Sequence, residues 1–154
     1  MVEIRLENIT HIYVARKIKT LAVKNINITF PHAVFAALLG PSGCGKTTLM
    51  RIIAGLLRQT EGHVYFDNVE VTPLTPRERN VAMVFQFPVM YPGNVFENIA
   101  FPLKASKTPQ NEIRKRVKEA AEIVGLPEDL FNKNPMSLDI GTRQKIVIAR
   151  ALVR

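Results

Sequence analysis

Val2, Ile4 and Leu6 alternate with Glu3, Arg5 and Glu7, the period-two pattern of a half-buried strand. Leu21, Val23, Ile26, Ile28 and Phe30 suggest a second strand with a break in phase, as a bulge produces. Val34 to Leu39 is an uninterrupted apolar run ending in Gly40, and Val81 to Phe85 is another. Both runs predict strands covered on both faces, as in a parallel sheet. Val64 to Phe66 predicts a short strand, and Lys46 to Leu56 a helix. From Phe87 to Pro102 the period is lost among Pro88, Pro92 and Pro102. A helix follows, with Thr108 as its cap, Pro109 at its first position and Gly125 at its end. Ile113, Val117, Ala120, Ala121 and Val124 line one face of it. A last helix is expected from about Thr142. Ile146, Val147, Ile148, Ala149, Ala151, Leu152 and Val153 cover almost every side of it, so the helix calls for neighbours all round, which residues 1–154 are not expected to supply.

Composition narrows the field. At 154 residues and 47% apolar, the chain can build one ordinary core. Lys and Arg number 21 against 13 acidic residues, for a net charge of +8. Such an excess fits nucleic acid, an anionic membrane surface, a phosphorylated ligand or simple solubility. Much of it lies between Lys104 and Lys118, where it reads most simply as the solvated face of the second helix. No run reaches the roughly 18 apolar residues of a membrane span, and the N-terminus has no apolar stretch like that of a signal peptide. Cys44 is the single cysteine, which excludes an internal disulfide and suits a reducing compartment.

One motif carries chemistry. Gly40-Pro41-Ser42-Gly43-Cys44-Gly45-Lys46-Thr47 fits G-x-x-x-x-G-K-S/T, the phosphate-binding loop, between an expected buried strand and an expected helix. Glycines let the backbone wrap an anion with N–H groups pointing inward. The helix N-terminus adds a partial positive charge. Lys46 is suited to neutralise β- and γ-phosphates, and the Thr47 hydroxyl to bind Mg²⁺. Ser42 and Thr48 stand beside these groups.

With that loop as its anchor, the sequence resembles the ATP-binding subunits of ABC transporters, and the likeness covers nearly the whole chain. Met83-Val84-Phe85-Gln86 matches the strand end that carries the family's Q-loop glutamine. Tyr91-Pro92 and Phe96-Glu97-Asn98-Ile99-Ala100-Phe101-Pro102-Leu103 resemble the start of the helical subdomain in sugar and glycerol-phosphate importers. Thr60-Glu61-Gly62 and Arg77-Glu78-Arg79-Asn80 fit the same subfamily. The resemblance implies ATP and Mg²⁺ as cofactors, with Gly40 to Thr48 on the phosphates. It implies Tyr13 stacked on adenine, with a strand tyrosine packing locally as the alternative reading of the residue alone. It implies Gln86 near the Mg²⁺ and the attacking water, where a lone Gln at a strand end is otherwise a satisfied polar group. Transmembrane permease subunits and a second ATP-binding subunit, identical or homologous, are the implied partners, without nucleic acid. The implied location is cytoplasmic, on the inner face of the cell membrane.

The expected fold is α/β: a P-loop core with an N-terminal antiparallel β subdomain, a helical subdomain and an incomplete parallel sheet. Residues 1–88 are assigned to the β subdomain and core, 89–137 to the helical subdomain, and 138–154 to a signature loop with its helix. Counted back from Ala149-Arg150-Ala151-Leu152, the family's L-S-G-G-Q signature falls on Leu138-Asp139-Ile140-Gly141-Thr142, where only Leu138 and Gly141 match. In the family this loop meets the γ-phosphate held by the opposite subunit. A carboxylate at Asp139 would oppose that phosphate by roughly 1 kcal/mol even in a wet site. The family continues into a Walker B strand with a Mg²⁺-binding Asp and a catalytic Glu, then a switch His. Residues 1–154 hold none of these, and His11, His32 and His63 precede the switch position. Those three histidines read as surface or packing residues. The expectation is therefore a shortened importer ATPase subunit, inactive alone, or else a non-hydrolysing ATP-binding module or a non-functional fragment.

Overall fold

Arg16 and Lys17 both take positive φ, 45° and 73°, which closes a two-residue hairpin of the twist that flanking strands prefer. It joins β1 (Ile4–Ala15) to β2 (Ile18–Phe30). The computed structural model describes residues 2–154, arranged as two compact units that divide between Ala82 and Met83.

In the first unit, β3 (Glu61–Phe66) and β4 (Val69–Glu70) complete an antiparallel sheet of four strands in the order β2-β1-β3-β4. The β1–β2 register shifts between Leu6 and Ile12, so both strands are longer than their broken alternation suggests. Helix α1 (Lys46–Ile53) buries Leu49 and Ile52 with Leu6, Ile9, Val23, Val64 and Phe66. It stops short of the expected Leu56, because Gly55 takes a left-handed φ of 73°.

The two apolar runs expected as parallel strands, 34–39 and 81–85, form no strand of this sheet. Phe35 is 99% exposed and Leu39 91%, so the first run is not covered on both faces either. A parallel strand needs neighbours to complete its ladder. No described residues supply one to either run, and the only pairings are antiparallel.

The second unit is helical. Asn94 and Glu97 form a reciprocal capping box at the start of α2 (Val95–Ala105), a helix the sequence reading did not delimit. Helix α3 (Gln110–Ile123) begins beside Pro109 rather than under a Thr108 cap, and Gly125 follows it in a left-handed conformation. Its basic residues are exposed, and Arg116, Lys115 and Lys118 pair with Glu112, Glu119 and Glu128. Helix α4 (Ile140–Leu152) buries Ile146, Val147 and Ala149, but Ile140, Ile148 and Leu152 are exposed. This partial exposure agrees with the expectation that residues 1–154 leave the helix poorly covered. Val95, Ile99, Leu103, Val117, Phe131 and Ile146 lie at the centre of this unit's core.

Candidate phosphate-binding site

Residues 40–48 fold as the loop-to-helix turn that the motif requires. The first bond of the α1 ladder runs from Leu49 N–H to Gly45 O at 2.9 Å. The N–H groups just before it therefore stand at the helix's positive end, and no side chain caps them. Gly45 has φ 94°, and a Cβ there would lie 2.4 Å from Ala22 O and 2.7 Å from Val23 Cγ1. Any other residue would lift the loop off β2.

Lys46 turns back into this loop. Its Nζ donates to Gly40 O at 2.8 Å and Pro41 O at 2.6 Å and lies 3.4 Å from Cys44 Sγ. The ammonium thus sits inside the curve of the loop, where an anion would meet both the cation and the helix end. Thr47 and Cys44 are exposed, and Thr48 is buried. The Thr48 hydroxyl is 3.3 Å from the Tyr13 hydroxyl, which links the end of β1 to the first turn of α1. Tyr13 is 38% exposed and packs edge-to-face on His11 at 4.5 Å between ring centres. The donor set fits a nucleoside triphosphate with Mg²⁺: one ammonium, a helix N-terminus, a free hydroxyl and a half-exposed aromatic ring.

Arg79, which sequence reasoning assigned no task, holds the far end of α1. Its guanidinium donates to Ile52 O, Ile53 O, Leu74 O and Thr72 O. It is only 6% exposed, and burial pulls its pKa below the usual arginine value. A cation at a helix C-terminus complements the helix dipole, so α1 is tied down at the end opposite the phosphate loop.

Gln86 and residues 138–142 belong to the second unit. Gln86 is exposed, and its carbonyl accepts a 3.4 Å bond from Gln144 Nε2 of α4. Asp139 is the N-cap of α4. It accepts from Thr142 N–H at 3.0 Å and Thr142 Oγ1 at 2.5 Å. The Thr142 side chain, and then its N–H, hold the carboxyl below the usual aspartate range. Leu138 is half-buried, while Ile140 and Gly141 are exposed. Arg150, also missed, donates to Asn98 O, Asn98 Oδ1 and Val89 O, with Tyr91 beneath its guanidinium. Asn98 is 1% exposed and holds Tyr91 through its backbone N–H and carbonyl. An Arg and an Asn recurring in helices give no local signal of this joint, which appears only when α2, α4 and residues 89–91 are packed.

Known proteins resemble this chain. A family model described as ABC transporter matches residues 23–154. The oligosaccharides import ATP-binding protein MsmX of Bacillus subtilis (strain 168) is 44% identical across 100% of this chain and 41% of its own length. The sn-glycerol-3-phosphate import ATP-binding protein UgpC of Pectobacterium atrosepticum is 44% identical over 88% of this chain and 38% of its own. The chain thus spans about two fifths of the curated relatives it matches. Among solved structures, the ATP-binding cassette MJ0796, a dimer in a post-hydrolysis state with ADP and Pi, superposes with a TM-score of 0.87 at 34% identity. That match covers 97% of this chain and 69% of the cassette. With the family model matched over residues 23–154 and a solved cassette superposing at 34% identity, the chain belongs to the ABC transporter ATP-binding family.

Proposed function

We propose that residues 1–154 are the nucleotide-binding part of an ATP-binding subunit that drives import of a sugar or glycerol-phosphate type solute. The observation that carries this is Lys46, held by Gly40 O and Pro41 O inside a loop that ends on an uncapped helix. The solute class rests on the importers to which the chain is similar. Permease subunits and a second ATP-binding subunit are the proposed partners, at the inner face of the membrane and without nucleic acid. No helix of the described residues is long and apolar enough to cross a membrane.

In this reading Lys46 exchanges two carbonyl partners for β- and γ-phosphate oxygens, and the N–H groups of residues 43–47 donate to the remaining phosphate oxygens. Tyr13 stacks on adenine. The Thr47 hydroxyl would hold Mg²⁺, and Gln86 is proposed as a Mg²⁺-facing group from the family resemblance alone; the ion when bound neutralises charge developing on the phosphates. Residues 1–88, 89–137 and 138–154 act as core, helical subdomain and signature segment. A second reading, ATP binding without turnover, is favoured by Asp139, whose carboxylate occupies the α4 N-terminus that the signature would offer to phosphate.

Titration of MgATP and phosphate release, measured on the same polypeptide of these 154 residues, tests both readings. Binding that Lys46→Ala removes is expected, with release far below a transporter's rate. Absent binding would end the proposal. Robust release sensitive to Lys46→Ala would remove the second reading.

A further inference from the structure

His11 is the one histidine of this chain that lies in the core: it is 8% exposed, and neither ring nitrogen has a hydrogen-bond partner. His63, by contrast, pairs with Glu70, and His32 lies 3.3 Å from Asp67. Leaving a buried donor and acceptor unpaired lowers stability, and a leucine at this position would fill similar space without that cost. Unresolved conflicts between local chemistry and folding concentrate at functional sites.

The surroundings of His11 show what the conflict serves. Its ring meets the Tyr13 ring at 4.5 Å and 86°, the edge-to-face arrangement that aromatic pairs prefer. The Tyr13 hydroxyl is tethered to Thr48 at 3.3 Å, so the phenol is held at its tip by α1 and along its body by His11. The cross-strand partner of His11 is Val23, and Val23 is one of the two residues against which Gly45 is pressed. His11, Tyr13, Val23 and the start of the phosphate loop therefore form one contiguous packed set.

We propose that His11 is a positioning residue for the base end of the nucleotide site. Packed against Tyr13, it fixes the plane of that ring for stacking on the base, and it acts on the nucleotide only through Tyr13. The proposal rests on the reading of Tyr13 as the base-stacking residue. Its signature is a variant that is at least as stable as the wild type but binds the nucleotide less well.

The test is calorimetric titration of the 154-residue chain with two Mg²⁺-loaded probes, ATP and inorganic tripolyphosphate, the second having phosphates but no base. His11→Leu is expected to weaken ATP binding about two- to tenfold, the range for losing one aromatic pair. Tripolyphosphate binding is expected to stay unchanged and the melting temperature to hold or rise. His11→Phe keeps a ring pair and is expected to stay within about twofold of the wild type. In a Tyr13→Ala background, His11→Leu is expected to add no further loss. Wild-type ATP affinity in His11→Leu, beside a clear loss in Tyr13→Ala, overturns the role of His11 alone. Wild-type affinity in Tyr13→Ala overturns the stacking reading itself. A His11→Leu variant that melts earlier and loses both probes alike shows a structural residue and overturns the proposal. A His11→Phe loss as large as that of His11→Leu overturns the ring-pair account.

Discussion

Helices α1 and α4 begin in opposite ways. The first turn of α1 follows Gly45, has no side-chain cap and carries Lys46 with its ammonium folded into the loop ahead of it. The first turn of α4 follows Asp139, whose two carboxylate oxygens already engage the Thr142 N–H and hydroxyl. Every helix N-terminus presents orphan N–H groups and a partial positive charge. One of these two leaves that charge for an outside anion and adds a cation to it. The other satisfies it with an anion of its own. These two starts predict that anion affinity depends less on a helix end as such than on how the residues before the first turn dispose of the orphan groups.

The comparison breaks hardest at Lys46. Its removal by Lys46→Ala is expected to cost MgATP binding about 2–5 kcal/mol, roughly 30- to several-thousand-fold in Kd, as read by calorimetry. Next comes Gly45→Ala. Left-handed backbone alone costs a non-glycine residue about 1–2 kcal/mol, and its Cβ would overlap Ala22 O. Both a lower melting temperature and weaker MgATP binding are expected, whereas Gly141→Ala, placed in the opening turn of α4 without a positive φ, is expected to change either far less. A wild-type melting temperature in Gly45→Ala would mean that the loop does not rest on β2.

A smaller effect is expected at Cys44, exposed inside the phosphate loop. Saturating MgATP should slow its modification by a bulky thiol reagent, followed by mass spectrometry. A rate indifferent to MgATP would count against nucleotide occupying the loop. The smallest concerns Asp139. Its carboxyl is held below the ordinary aspartate range by Thr142, so the folded state favours the ionised form. The resulting stabilisation is complete above the ordinary range and disappears as pH falls through the lowered folded value. Asp139→Ser keeps an oxygen cap but removes the charge. Its melting temperature should vary less than that of the wild type across the acid range, and an identical pH profile would show that the cap carries no ionic component.

Much of this was legible in the sequence, and the losses have physical causes. The phosphate loop, α1 and α3 announced themselves through local signals: glycine spacing, a proline at the helix start and a clean apolar stripe. The runs at 34–39 and 81–85 read as buried strands because an apolar run reports only what a segment would bury. Strand formation depends on a neighbour, which a run cannot specify. Helix α2 went undelimited because Pro102 argued against it, although Asn94 and Glu97 at capping-box spacing were visible beforehand. β1 was cut short at Leu6 because its bulges destroy the alternation that marks a strand. Arg79, Asn98 and Arg150 make contacts set by residues distant in sequence, as does the burial of His11, and no single-chain pattern singles them out.

The contrast between the two helix starts is tested most directly by following backbone amides in an isotope-labelled sample while MgATP is added, at a concentration where the chain is monomeric. Large saturable shifts are expected at Gly43, Gly45, Lys46 and Thr47, with Ile140, Gly141 and Thr142 unmoved. Shifts of equal size at both helix starts, or shifts at 140–142 alone, would contradict the account.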